Sequence, residues 1–421
     1  MKPLTPPTIE LVPLRAALAH NQETTLDLLV RVVPPALEMT GDRPPLNLGL
    51  VIDRSGSMSG KKIEYARQAA VYAVQQLQPS DHVSVVVFDS YVNTLVPNTA
   101  AVDKEGILQK IRALHPGSST ALHAGWLEGG IQVGHALKPE WLNRVLVLSD
   151  GLANVGETNP DAIASDVHGL TQRGISTSTM GIGDDYGEDL MEVMARSGDG
   201  NFYHIESPEQ LPDFFQTELH GLMATVGHTV SLGIDPKNGV TVVDILNNLD
   251  KTNTGRLKLP NLVAGNPISV VVRLKVPPQS ASTDLCRIRL AWSDPELQGR
   301  QKTYATLTLP VVEPAQLSEF PINEAVQQQV ALLMSARAQE ESIRFMDLGN
   351  FEAAQNSLRS AKAMVASAPC SADLTAEGAS LDRLQEELSA GKVTTTRKMA
   401  RFNSHRRSRS QPSTPDHGSK D

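Results

Sequence analysis

A chain of 421 residues exceeds what one hydrophobic core organises, so about two to four domains are expected and a single compact domain is excluded. Apolar residues at 40% and charged residues at 20% exclude a disordered or collagen-like chain. With 38 Lys and Arg against 47 Asp and Glu, net −9, and only 4% aromatics, the chain has neither the basic surplus nor the stacking rings of a nucleic-acid binder.

The first module spans 1–45. It opens with prolines at 3, 6, 7 and 13 and shows no apolar leader-type segment, and no later stretch is long and apolar enough for a membrane span, which predicts a cytoplasmic protein. Its signal is the alternation of Leu26, Leu28, Val30 and Val32, a half-buried strand. Over 46–224 short apolar runs alternate with longer amphipathic ones, predicting βα units around a mostly parallel, doubly wound sheet. The strands are expected at 46–53, 82–89, 144–149, 175–182 and 201–205, and the helices at 61–77, 104–114, 121–137, 160–172, 188–197 and 208–223. Asn159-Pro160 and Ser207-Pro208 read as helix caps followed by a first-turn proline.

Over 225–316 the period drops to two. Ile268, Val270, Val272, Leu274 and Val276 alternate with other residues, as do Cys286, Ile288, Leu290 and Trp292, with further runs at 229–234, 240–246, 256–262 and 303–312. This is an antiparallel β-sandwich. An isolated N-terminal strand would be marginal in water, so the 26–32 run is expected to complete it, with the α/β domain inserted between its two parts. Over 317–391 a helical hairpin breaks at Gly349-Asn350 and a third helix carries Leu381, Leu384 and Leu388. The turn is like half of a tetratricopeptide unit, but one pair is no array, which favours a capping bundle. Residues 392–421 hold eight Lys and Arg against two Asp with Phe402 as the sole aromatic, predicting a disordered basic tail. Cys286 and Cys370 fall in different modules, so no disulfide framework is expected and a reducing compartment fits.

The chemistry concentrates where the first apolar strand of the α/β domain ends. Asp53, Ser55 and Ser57 leave the sheet in one tight turn, bringing three hard oxygen donors together. This Asp-x-Ser-x-Ser pattern resembles the metal-ion-dependent adhesion site of the von Willebrand factor type A family. The resemblance covers about 46–223, including Gly200-Asn201-Phe202-Tyr203-His204-Ile205, typical of bacterial members. It implies two further ligands: Thr120, in Gly117-Ser118-Ser119-Thr120, and Asp150, ending the apolar run Val145-Leu146-Val147-Leu148. Ser118-Ser119 stand where relatives often have paired glycines. The split sandwich is similar to inter-alpha-trypsin-inhibitor heavy chains and to bacterial proteins often labelled chloride-channel-like, though nothing in this sequence implies a channel.

Two carboxylates with three hydroxyls suit Mg²⁺ or Mn²⁺. The site would be near neutral and could exchange a water for a partner's Asp or Glu carboxylate. The leading reading is therefore a non-enzymatic, metal-dependent adaptor that binds a protein partner. The alternative is a regulatory type A subunit of a separate, chelatase-like ATPase. A nucleotide loop in this chain is disfavoured, because Gly56 to Lys62 has three residues between its glycines instead of four and Lys62 where Ser or Thr would hold magnesium. Gly181-Ile182-Gly183-Asp184-Asp185-Tyr186 fails as a dinucleotide fingerprint, and no Gly-x-Ser-x-Gly elbow signals a hydrolase. In the tail, Arg407-Ser408-Arg409-Ser410-Gln411-Pro412 and Thr394-Thr395-Thr396-Arg397 have the form of phospho-dependent contact motifs.

Overall fold

The computed structural model describes residues 6–35, 44–150, 153–183, 186–294 and 299–410. They divide into two units, one built from the middle of the chain and the other from its two flanks.

The middle unit is a six-stranded sheet in the order Val92–Ala100, His82–Phe88, Leu46–Asp53, Leu142–Ser149, Ser176–Ile182, Asp199–Ile205. All neighbours are parallel except the edge strand Val92–Ala100. Leu46–Asp53 is buried over all eight residues, which is why it reads as an apolar run without alternation. Asn47 interrupts that run at little cost, because its amide donates to the Val133 carbonyl at 2.8 Å and to Asn143 Oδ1 at 2.9 Å. Helix Leu122–His135 lies close against this strand. A Cβ on Gly129 would come within 2.3 Å of Val51, and one on Gly125 within 2.5 Å of Phe88. The chain leaves Leu46–Asp53 for His82–Phe88 on one side and later fills Leu142–Ser149 on the other, so strand order reverses there. The crevice of such a sheet lies at the carboxyl ends of these strands.

Five of the six strands and the helices are where the sequence predicts them. The edge strand Val92–Ala100 is additional; Pro97 and the polar residues around it hide its pattern, and an outermost strand tolerates both.

The flanking unit carries the sandwich. One sheet has the order Thr8–Pro13, Thr24–Val33, Ile268–Val276, Thr241–Ile245; the other joins Thr225–Pro236, Thr283–Ser293 and Arg300–Leu309, with short pieces at Leu257–Lys258 and Leu262–Val263. Thr24–Val33 pairs antiparallel with Ile268–Val276 along the latter's full length, closing the sandwich across the inserted domain. Leu28, Val30 and Val32 share one core with Val270, Val272, Leu232, Ile288 and Leu290. Leu29 and Val271 point the other way and are also buried, because Val326 and Leu333 of helix Glu324–Asp347 cover that face. Cys286 is buried and Cys370 exposed, both free.

Four helices follow: Glu324–Asp347, Phe351–Ser367, Ala372–Ser389 and Val393–Ser408. Over its own span, Val393–Ser408, the last corrects the reading of 392–421 as a disordered tail. Thr396 and Ala400 are fully buried, and Met399 joins the apolar core of the bundle. Charge hides this helix in the sequence: Arg407 donates from Nε to the buried Glu377 carboxylate at 2.9 Å and Arg397 to Asp347 at 2.8 Å, so these two guanidiniums meet carboxylates on neighbouring helices. Arg407 and Ser408 are buried within this helix, and residues 411–421, including Gln411 and Pro412, lie outside the described residues. Deleting the chain from Val393 onward is accordingly expected to lower the bundle's melting temperature by several degrees. It strips apolar cover and leaves Glu377 buried without its guanidinium, a loss on the order of 3 kcal/mol or more. An unchanged calorimetric melt would favour the disordered tail instead. Among the described residues, no helix is long and apolar enough to cross a membrane.

Candidate metal centre

Asp53 is the last residue of the central strand, and the chain beyond it is folded back by a short 3-10 turn, Gly56–Met58. Met58 anchors that turn by its complete burial, and Gly60, at φ 78°, lets helix Lys61–Gln76 begin immediately after. Asp150 directly follows the neighbouring strand Leu142–Ser149. Both carboxylates therefore stand at the carboxyl edge, at the reversal point.

Side-chain hydrogen bonds join four of the five sequence-predicted residues. Ser55 N donates to Asp53 Oδ1 at 2.7 Å, Ser55 Oγ and Ser57 Oγ are 3.0 Å apart, and Ser57 Oγ donates to Asp150 Oδ1 at 3.0 Å. Thr120 is brought to them by backbone. Gly56 N donates to the Ser118 carbonyl at 2.6 Å and Gly117 N to the Arg54 carbonyl at 2.5 Å, stapling the Thr120 loop to the Asp53–Ser57 turn. Gly117 has to be glycine, because a Cβ there would meet Asp89 Oδ2 at 2.1 Å. Asp53, Ser55, Thr120 and Asp150 are buried, whereas Ser57 is exposed, so solvent or a ligand approaches past Ser57.

Three supporting residues have no motif that would find them. Ser149 Oγ donates to Asp53 Oδ2 at 2.6 Å. Asn154 clamps Thr120, its Oδ1 accepting from Thr120 N at 2.8 Å and its own N–H donating to the Thr120 carbonyl at 3.1 Å. Lys62 Nζ donates to Asp150 Oδ2 at 2.7 Å. Only Ser149 had a hint, its place beside Asp150; the reach of Lys62 spans 88 residues of sequence.

Burial pushes the Asp53 carboxyl up to about 6; hydrogen bonds from Ser149 and Ser55 oppose the shift and the nearby Asp150 charge adds to it. A raised carboxyl contributes stability that is complete below its ordinary 3.8 and is lost as pH rises through 6. In EDTA, Asp53→Asn is therefore expected to melt with the wild type near pH 4 and above it at pH 7, by an amount on the order of 2–3 kcal/mol. Parallel melts across that range check this; a constant offset would contradict it.

A doubly wound sheet with carboxylate and hydroxyl loops at its reversal point places them where α/β domains of this class bind their ligands. Residues 47–217 match the family model of the von Willebrand factor type A domain, and this segment is a type A domain, a class that mediates protein–protein interactions. The chain is 31% identical over 191 residues to the uncharacterised protein sll0103 of Synechocystis sp., covering 44% of each. It is 29% identical over 195 residues to human inter-alpha-trypsin inhibitor heavy chain H4, covering 43% of this chain and 21% of that one. The chain thus spans less than half the length of these curated relatives. A solved von Willebrand factor type A protein from Catenulispora acidiphila superposes with TM-score 0.66 at 17% identity, over 92% of this chain and 90% of that one; at this identity the likeness shows the fold.

Proposed function

We propose that the type A domain is the binding head of a non-enzymatic adaptor. It would grip a partner protein's Asp or Glu carboxylate through Mg²⁺ or Mn²⁺ held by Asp53, Ser55, Ser57, Thr120 and Asp150. One observation carries the reading: a continuous run of hydrogen bonds joins the Asp53 carboxylate, through Ser55 and Ser57, to the Asp150 carboxylate on a separate loop, with Ser57 as its exposed member. The donors fit such a cation, being all oxygen, with two carboxylates to balance its charge. With only two carboxylates in the set, a cation here would lean on the neutral hydroxyls and on water or a ligand for the rest of its shell. When bound, the cation would supply an electropositive, exchangeable position for an incoming carboxylate. Asp53 and Asp150 hold it from the sheet, the serines and Thr120 orient it, and exposure beside Ser57 admits the partner.

Free Cys286 and Cys370 favour a reducing compartment, and we place the adaptor in the cytoplasm. Affinity capture on the immobilised full chain tests the function. Partners should be retained in Mg²⁺ and eluted by EDTA, and equal retention under both conditions would reject bridging through a metal. An ATPase among the eluted partners would favour the regulatory-subunit alternative.

A further inference from the structure

We propose that Lys62 is a tethered counter-ion of this site: its ammonium neutralises Asp150 when no divalent cation is held, and a cation has to displace it to bind. The inference rests on the metal-site reading above.

Both oxygens of Asp150 are engaged, Oδ1 by Ser57 Oγ at 3.0 Å and Oδ2 by Lys62 Nζ at 2.7 Å. The two donors differ in what they can do next. A hydroxyl keeps lone pairs and can turn from donating to Asp150 to facing a cation. An ammonium has no lone pair and carries the same sign of charge, so it competes with a cation for the carboxylate and cannot help coordinate it. Asp150 is fully buried and the Lys62 side chain is 23% exposed, so water screens the contact only partly.

The position of the lysine supports a dedicated role. Lys62 stands in the first turn of helix Lys61–Gln76, where the helix dipole disfavours a cation and favours an acid. Its stem passes beside Gly183: a Cβ there would lie 3.2 Å from Lys62 Cε, and Gly183 has φ 72°. A residue without a side chain thus leaves room for the lysine to reach across to Asp150. Displaced from Asp150, the ammonium remains tethered within reach of the same edge, available to a carboxylate arriving there. The lysine would therefore both set the metal affinity and add charge complementarity for an acidic partner once metal is in place.

Titration calorimetry with Mg²⁺ and Mn²⁺, paired with melting curves in EDTA and in saturating Mg²⁺, tests this on the full chain as wild type, Lys62→Met, Lys62→Gln and Asp150→Asn. The expected result is about tenfold tighter metal binding in both Lys62 variants. Their metal-free forms should melt lower than wild type, and their gain on adding Mg²⁺ should be larger. Equal or weaker binding in the Lys62 variants, with wild type binding and Asp150→Asn not, would overturn the counter-ion role while leaving the metal site standing. Absence of binding in every protein, or undiminished binding in Asp150→Asn, would overturn both.

Discussion

Asp53→Asn and Asp150→Asn are each expected to lose Mg²⁺ and Mn²⁺ binding by on the order of a hundredfold or more, and to lose metal-dependent partner capture with it. The geometry separates this from unfolding. Asp53 ends its strand and Asp150 directly follows the neighbouring one, and asparagine, nearly the same size, keeps an acceptor for Ser55 N at position 53 and for Ser57 Oγ at position 150. Ser55→Ala and Ser57→Ala should weaken metal binding by less, roughly tenfold, because each removes a neutral donor that water can replace. Calorimetric titration ranks the variants. Serine losses as large as aspartate losses would mean that the carboxylates do not dominate. In wild type the melting temperature should climb with Mg²⁺ concentration and in the aspartate variants stay flat.

Removing residues 1–36 is expected to be the most damaging truncation. It takes away Thr8–Pro13 and Thr24–Val33 and exposes the edge of Ile268–Val276 along its whole length. Leu26, Leu28, Val30 and Val32 leave the shared core, and at about 1.5–3 kcal/mol each their loss rivals the whole stability of an ordinary domain. The remaining sandwich should aggregate through its open edge. Size-exclusion chromatography of the truncated chain checks this; a monomeric species with a cooperative sandwich melt would show that the N-terminal strands are dispensable.

The sequence is most readable where one physical pattern acts alone. Leu46–Asp53 is buried on both faces and its apolar run bounds it to the residue, and Ile268–Val276 shows its sandwich face by strict alternation. Patterns fail where a second layer or a distant partner changes the requirement. The Val92–Ala100 strand is an edge, so its polar residues and Pro97 blur the period. Helix Val393–Ser408 seats Met399 and Ala400 in the bundle core while Arg407 and Arg397 pair with Glu377 and Asp347, and composition cannot show that those charges are matched. At the site, Asp53, Ser55 and Ser57 are legible because they are contiguous, and Thr120 and Asp150 through family resemblance. Lys62, Ser149 and Asn154 act through contacts that only the folded sheet edge creates. Lys62 in particular sits in a string that looks like a defective phosphate loop, and its meaning appears only when Asp150 is beside it.

The central claim is that a divalent cation sits among the oxygens of Asp53, Ser55, Ser57, Thr120 and Asp150. A crystal structure grown in Mn²⁺ and read by anomalous scattering tests it most directly. The expected result is one manganese peak among those oxygens, bound directly at about 2.2 Å or through water, with Lys62 withdrawn from Asp150. No manganese at the carboxyl edge, with the Lys62 ammonium still on Asp150, would contradict it.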